Sequence, residues 1–125
     1  MKKISVFKEG WVRTSPSERA PLNDERLPPD EAAALGAYLE NATVVMHTTN
    51  RTRDVLADDD TQVVPLTVRT DGIYVWAGPV AYYVQKYGVA PDQDFIDYAK
   101  TRNYEVRTPS DNEIAEAAKA IRSRH

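Results

Sequence analysis

The hydrophobic period changes several times along the chain, and each change marks an element. From Lys3 to Phe7, Ile4 and Val6 alternate with Ser5 and Phe7, which predicts a short strand. Ala32, Leu35, Gly36 and Leu39 then recur at helical spacing. Asp30 is placed to cap a helix over Glu31 to Glu40, and Asn41 suits its exit. The period returns to two from Thr43 to Thr48, with Val44, Met46 and Thr48 opposite Thr43, Val45 and His47.

Residues 63–76 carry the clearest signal. Two β-rich runs flank Asp71-Gly72, a dipeptide suited to the centre of a two-residue type I′ turn. Such a turn sets Thr70 opposite Ile73, Arg69 opposite Tyr74, Val68 opposite Val75 and Thr67 opposite Trp76. Val64, Leu66, Val68, Ile73 and Val75 then share one face, and Arg69, Tyr74 and Trp76 the other. Pro65 cannot donate to a ladder, so its end of the strand belongs at an edge or bulge.

Three helices follow. Gly78-Pro79 opens one with Val80, Tyr83, Val84 and Tyr87 on its stripe and Gly88 as a left-handed stop. Pro91-Asp92 opens the next, along Phe95, Tyr98, Ala99 and Arg102. Ser110 and Glu113 form a capping box ahead of Ile114, Ala117, Ala118 and Ile121. This order predicts an α+β fold: a small antiparallel sheet with a central Asp-Gly hairpin, packed by helices.

Two stretches lack periodicity. Residues 15–29 hold four prolines and read as a surface loop or arm, and 49–62 read as a polar loop. A length of 125 residues fits one domain spanning 1–125. The 42% apolar content is enough to set a disordered chain aside. Lys2-Lys3 has no apolar run behind it, because Lys8, Glu9 and Gly10 interrupt. The expectation is a cytoplasmic protein with no membrane segment.

The candidate chemistry is sparse. Zero Cys excludes a disulfide framework, a thiolate nucleophile and a cysteine-ligated zinc site. Of the two histidines, His47 has no partner at metal-ligand spacing and His125 is the last residue. Gly72 and Gly78 are separated by a predicted strand and cannot form a phosphate loop. Asp54, Asp58, Asp59 and Asp60 offer hard oxygen ligands, but their spacing does not match a calcium loop, and a solvated charge run is the simpler reading. No catalytic residue, metal site or cofactor site is therefore assigned. A net charge of -3 disfavours a nucleic-acid backbone as partner.

Binding to a protein is better supported. Arg51 and Arg53 precede Asp58, Asp59 and Asp60, a mixed-charge loop able to match a partner's charge pattern. Arg69, Tyr74 and Trp76 share one hairpin face and are residue types enriched in binding hot spots. If a helix covers that face, its aromatics become core instead.

The segments Thr70-Asp71-Gly72-Ile73-Tyr74-Val75-Trp76, Ala81-Tyr82-Tyr83-Val84 and Tyr87-Gly88-Val89-Ala90-Pro91 resemble a group of small actinobacterial proteins with the same pattern. The likeness covers roughly residues 28–104 and is densest from 63 to 95. Some of that group look like immunity proteins encoded beside toxins, and no catalytic residue carries over from them. The resemblance implies a non-enzymatic domain that binds and inhibits a co-encoded toxin. The alternative is a small-ligand-binding or regulatory domain.

Overall fold

The computed structural model describes residues 1–8, 21–59 and 61–122. In chain order these form β1 (Lys2–Lys3), α1 (Pro29–Asn41), β2 (Thr43–Met46), β3 (Arg51–Arg53), β4 (Gln62–Pro65), β5 (Val68–Thr70), β6 (Tyr74–Trp76), α2 (Gly78–Tyr87), α3 (Gln93–Thr101) and α4 (Asp111–Arg122). The fold is α+β. One sheet has the order β1-β6-β5-β2, and a second, two-stranded sheet pairs β3 with β4. The larger sheet is mixed, because β1 runs parallel to β6 while the other pairs are antiparallel. None of the described helices is long and apolar enough to cross a membrane.

The N-terminal alternation does not survive as a strand of five. Only Lys2–Lys3 joins the ladder, extended by the Ile4 amide donating to the Val75 carbonyl at 3.1 Å. Ile4, Ser5, Val6 and Phe7 are all buried, so this segment has no solvent face to alternate against. The first helix starts one residue before the expected cap. Pro29 occupies its first turn, where a missing N–H costs nothing, and Asp30 and Glu31 lie in that turn without a side-chain capping bond. The capping box of α4 forms as read: the Glu113 amide donates to Ser110 Oγ at 3.2 Å, and the Ser110 amide to Glu113 Oε1 at 2.9 Å.

The Asp-Gly hairpin forms with a different register. Thr70 pairs with Val75 and Arg69 with Trp76, and the Asp71 amide donates to the Tyr74 carbonyl at 3.3 Å, which moves the turn one residue on, to Gly72-Ile73. A type I′ turn needs positive φ at both central residues, and of Asp71 and Gly72 only Gly72 has it, at 96°. The Asp71 carboxylate instead accepts the amides of Ile73 and Tyr74 at 2.9 and 2.7 Å. The Thr70 hydroxyl donates to the Tyr74 carbonyl at 2.6 Å and accepts the Gly72 amide at 2.9 Å. These side-chain bonds hold a turn set one residue later than backbone preference alone predicts. The shift is an even number of positions, so the faces are unchanged. The upstream strand is also broken, since 62–65 pair with β3 and the chain changes sheet at Leu66–Thr67.

Helices pack on both faces of the sheet. Val68 and Val75 lie under α4 with Ala117 and Ile121. The opposite face meets α1, α2 and α3 through Leu35, Tyr38, Leu39, Val84 and Phe95. Trp76 therefore belongs to the core rather than to a partner surface: it is 1% exposed, with Phe95 and Tyr38 at ring distances of 5.5 and 6.3 Å. Tyr74 is half-buried against Phe95 and Tyr98. Arg69 is also half-buried and donates to the Ala42 carbonyl at 2.9 Å. On the face Arg69–Tyr74–Trp76, helices therefore bury Trp76 and cover the other two side chains in part.

Candidate functional site

The expected polar loop over 49–62 is largely a two-stranded ribbon. Arg51 stands opposite Pro65 and Thr52 opposite Val64, and the register shifts before Arg53 pairs with Gln62. Thr52 and Val64 point inward and are buried, while Arg51 and Val63 are exposed. The Arg51 guanidinium donates to the Val63 carbonyl at 3.4 Å. Gly78, at the start of α2, lets the ribbon approach the body. A Cβ there would lie 2.0 Å from the Pro65 carbonyl oxygen.

The ribbon tip is anchored by a buried acid. Asp54 is 1% exposed, and its Oδ2 accepts the hydroxyls of Tyr82 and Tyr87 at 2.8 and 2.6 Å. Its Oδ1 accepts the Leu56 amide at 2.8 Å. The Tyr83 hydroxyl accepts the Val55 amide at 2.9 Å, so all three α2 tyrosines reach the tip. Lys86 Nζ lies 3.6 Å from Asp54 Oδ2 and 5.5 Å from the ring centres of both Tyr82 and Tyr87. Burial alone pushes the Asp54 carboxyl up. The two phenol hydrogen bonds, the Leu56 amide and the Lys86 charge together outweigh it and hold the group below its ordinary range. Burial pushes the Tyr83 phenol up to about 12, and a hydroxyl that stays protonated is the form that packs here without charge.

What this anchor holds outward is a small mixed surface. Leu56 is 45% exposed at the tip. Asp58 and Asp59 are exposed just beyond it, and Asp59 Oδ1 accepts the Thr61 amide at 3.1 Å. Arg51 and half-buried Arg53 lie on β3, and Asp58 and Asp59 in the loop that leads from it to β4. Asp60 lies outside the described residues. Arg69, Tyr74 and Trp76 belong to the other sheet and are not brought to this surface.

The tip faces the pinned part of the proline-rich arm. The Asn23 amide donates to the Val6 carbonyl at 2.8 Å, its side-chain Nδ2 to Ala90 O at 2.8 Å, and the Leu27 amide to Gly88 O at 2.7 Å. Residues 15–20 of that arm lie outside the described residues. Two clefts flank the docked segment. One of 440 Å3 opens between it and Val55-Leu56, and one of 330 Å3 opens toward Lys8 and Gln93.

Among the described residues, no group of three or more His, Cys, Asp or Glu is placed to hold a metal. His47 sits exposed just past β2. The fold and the tip together define an α+β domain that presents an anchored ribbon. Comparison with family models, curated proteins and solved structures finds no match, so the site is read from its own chemistry.

Proposed function

We propose that this chain is a non-enzymatic protein-binding domain whose contact surface is the β3–β4 ribbon and its tip. The observation that carries this reading is the Asp54 anchor: a buried carboxylate and three tyrosines hold the backbone at Val55 and Leu56, and Leu56, Asp58 and Asp59 stand exposed there. A pre-ordered contact loop loses little conformational freedom on binding, which favours affinity. The flanking arginines and aspartates supply both signs of charge, suited to choosing among protein partners.

The specific form we propose is an immunity-type protein acting in the cytoplasm, where it inhibits a co-encoded toxin. The net charge of -3 suits a basic toxin surface, and the likeness to the small actinobacterial proteins points the same way. The test is comparative capture from native lysate with the intact chain and with Leu56→Asp/Asp58→Lys. A partner retained only by the intact chain, toxic when expressed alone and neutralised by co-expression, supports the reading. Equal retention by both chains contradicts the ribbon as the surface.

A second reading is favoured by the clefts of 330 and 440 Å3, which fall within the size of small-ligand sites. On that reading the chain is a small-ligand-binding or regulatory domain. Stoichiometric retention of a metabolite, seen by native mass spectrometry, would select it over protein binding.

A further inference from the structure

We infer that the outer edge of β2 pairs antiparallel with the same edge of a second copy of this chain, joining the two main sheets across a two-fold axis. This surface is separate from the ribbon tip, and the inference does not depend on the protein-binding reading. In the order β1-β6-β5-β2, β2 is a terminal strand, and β5 is its one strand partner among the described residues. The other side of a terminal strand presents a row of backbone donors and acceptors, here along Thr43–Met46. Val44 and Met46 are exposed on the same strand, at 41% and 48%. A second strand laid along this edge satisfies the backbone groups and covers both side chains.

Charge singles out this edge and this occupant. Sheet edges are commonly blunted by charged side chains or by proline. β1 carries Lys2 and Lys3, β3 carries Arg51 and Arg53, and β4 carries Pro65. β2 carries none of these. From Asn41 to Asn50 the chain has no Asp, Glu, Lys or Arg, so two copies of net charge -3 can meet here without like charges in the ladder. The charges that bound this stretch differ in sign: exposed Glu40 precedes it and exposed Arg51 follows it. Antiparallel pairing turns the acidic end of each copy toward the basic end of the other, twice over. A parallel pairing would bring like ends together. Arg69, on the neighbouring strand, donates to the Ala42 carbonyl of its own chain. The register shift between Val44 and Met46 bends β2 and keeps the shared ladder short, so the dimer is concentration-dependent.

Sedimentation equilibrium of the full chain from micromolar to millimolar concentration tests this, together with nuclear Overhauser effects between differently labelled copies. The expected result is a monomer–dimer equilibrium, with contacts between copies among the methyl groups of Val44, Val45 and Met46. Met46→Lys, a change at an exposed side chain, weakens the dimer about tenfold or more. Glu40→Lys and Arg51→Glu each weaken it, and the two together restore it. Thermal melting confirms that each variant is folded. A monomer at every concentration, a dimer untouched by Met46→Lys, or contacts between copies at other residues would overturn the inference. So would a double reversal no tighter than the single ones, which would remove the antiparallel arrangement. The ribbon reading is tested separately, by partner capture.

Discussion

Asp54 illustrates how one side chain can order a surface it does not itself present. Replacing it with Asn keeps the shape but removes the charge and part of the acceptor capacity for two phenols and a lysine. The expected loss is about 1–3 kcal/mol at neutral pH, read by chemical denaturation. Its pH dependence has a definite sign. The folded carboxyl lies below its ordinary 3.8, so its stabilisation is present above that value and is lost as pH falls through the lower folded one. The gap between the intact chain and Asp54→Asn should therefore narrow on acidification below about 3.8. A gap that stayed constant would show that the charge of Asp54 contributes nothing. Trp76 is the contrasting case. Its Nε1 has no hydrogen-bond partner among the described residues, so Trp76→Phe gives up volume but no bond to them and should be tolerated far better than Trp76→Ala, which should cost about 3–5 kcal/mol. At this scale the sequence offered a missed clue. Three tyrosines at positions 82, 83 and 87 cannot all bury their hydroxyls without partners, and Asp54 was grouped with the solvated acids that follow it.

Among the elements, those built on apolar repetition were legible and those built on side-chain hydrogen bonds were not. The α2, α3 and α4 stripes and the two faces of the hairpin follow from spacing alone. The hairpin register does not, because the Asp71 and Thr70 side chains move the turn off the Asp71-Gly72 dipeptide. The ribbon escaped notice because β3 is short and polar, with only Thr52 buried, and β4 reads in sequence as the start of the hairpin strand. Val68 and Val75 are not direct cross-strand partners as the sequence suggested, yet both lie buried beneath α4. Val75→Ala should cost about 1–3 kcal/mol, checked by equilibrium unfolding. The ribbon depends on its contact with α2. Gly78→Ala drives a methyl into the Pro65 carbonyl and should cost about 1–3 kcal/mol, with faster hydrogen exchange concentrated in 51–65. Unchanged exchange there would mean that the ribbon does not rely on this approach.

For the whole molecule, the decisive feature is that helices pack on both faces of the main sheet, leaving Val44 and Met46 of its β2 edge exposed. Helices bury Trp76 of the aromatic hairpin face and cover Arg69 and Tyr74 in part, which is why the contact surface we propose is the ribbon beside α2. Sequence could identify the mixed-charge stretch around Arg51 to Asp59 but not that Asp54 is its buried root, since that depends on residues brought together from α2. The account stands on the anchored tip being the surface a partner touches. Hydrogen-exchange protection in the complex with the captured partner tests this most directly. Protection at 51–59 and 61–65, with 69–76 unchanged beyond its core-level slowness, is the predicted footprint. Protection confined to α4 or the β2 edge, with Leu56 and its neighbours exchanging as in the free chain, would contradict it.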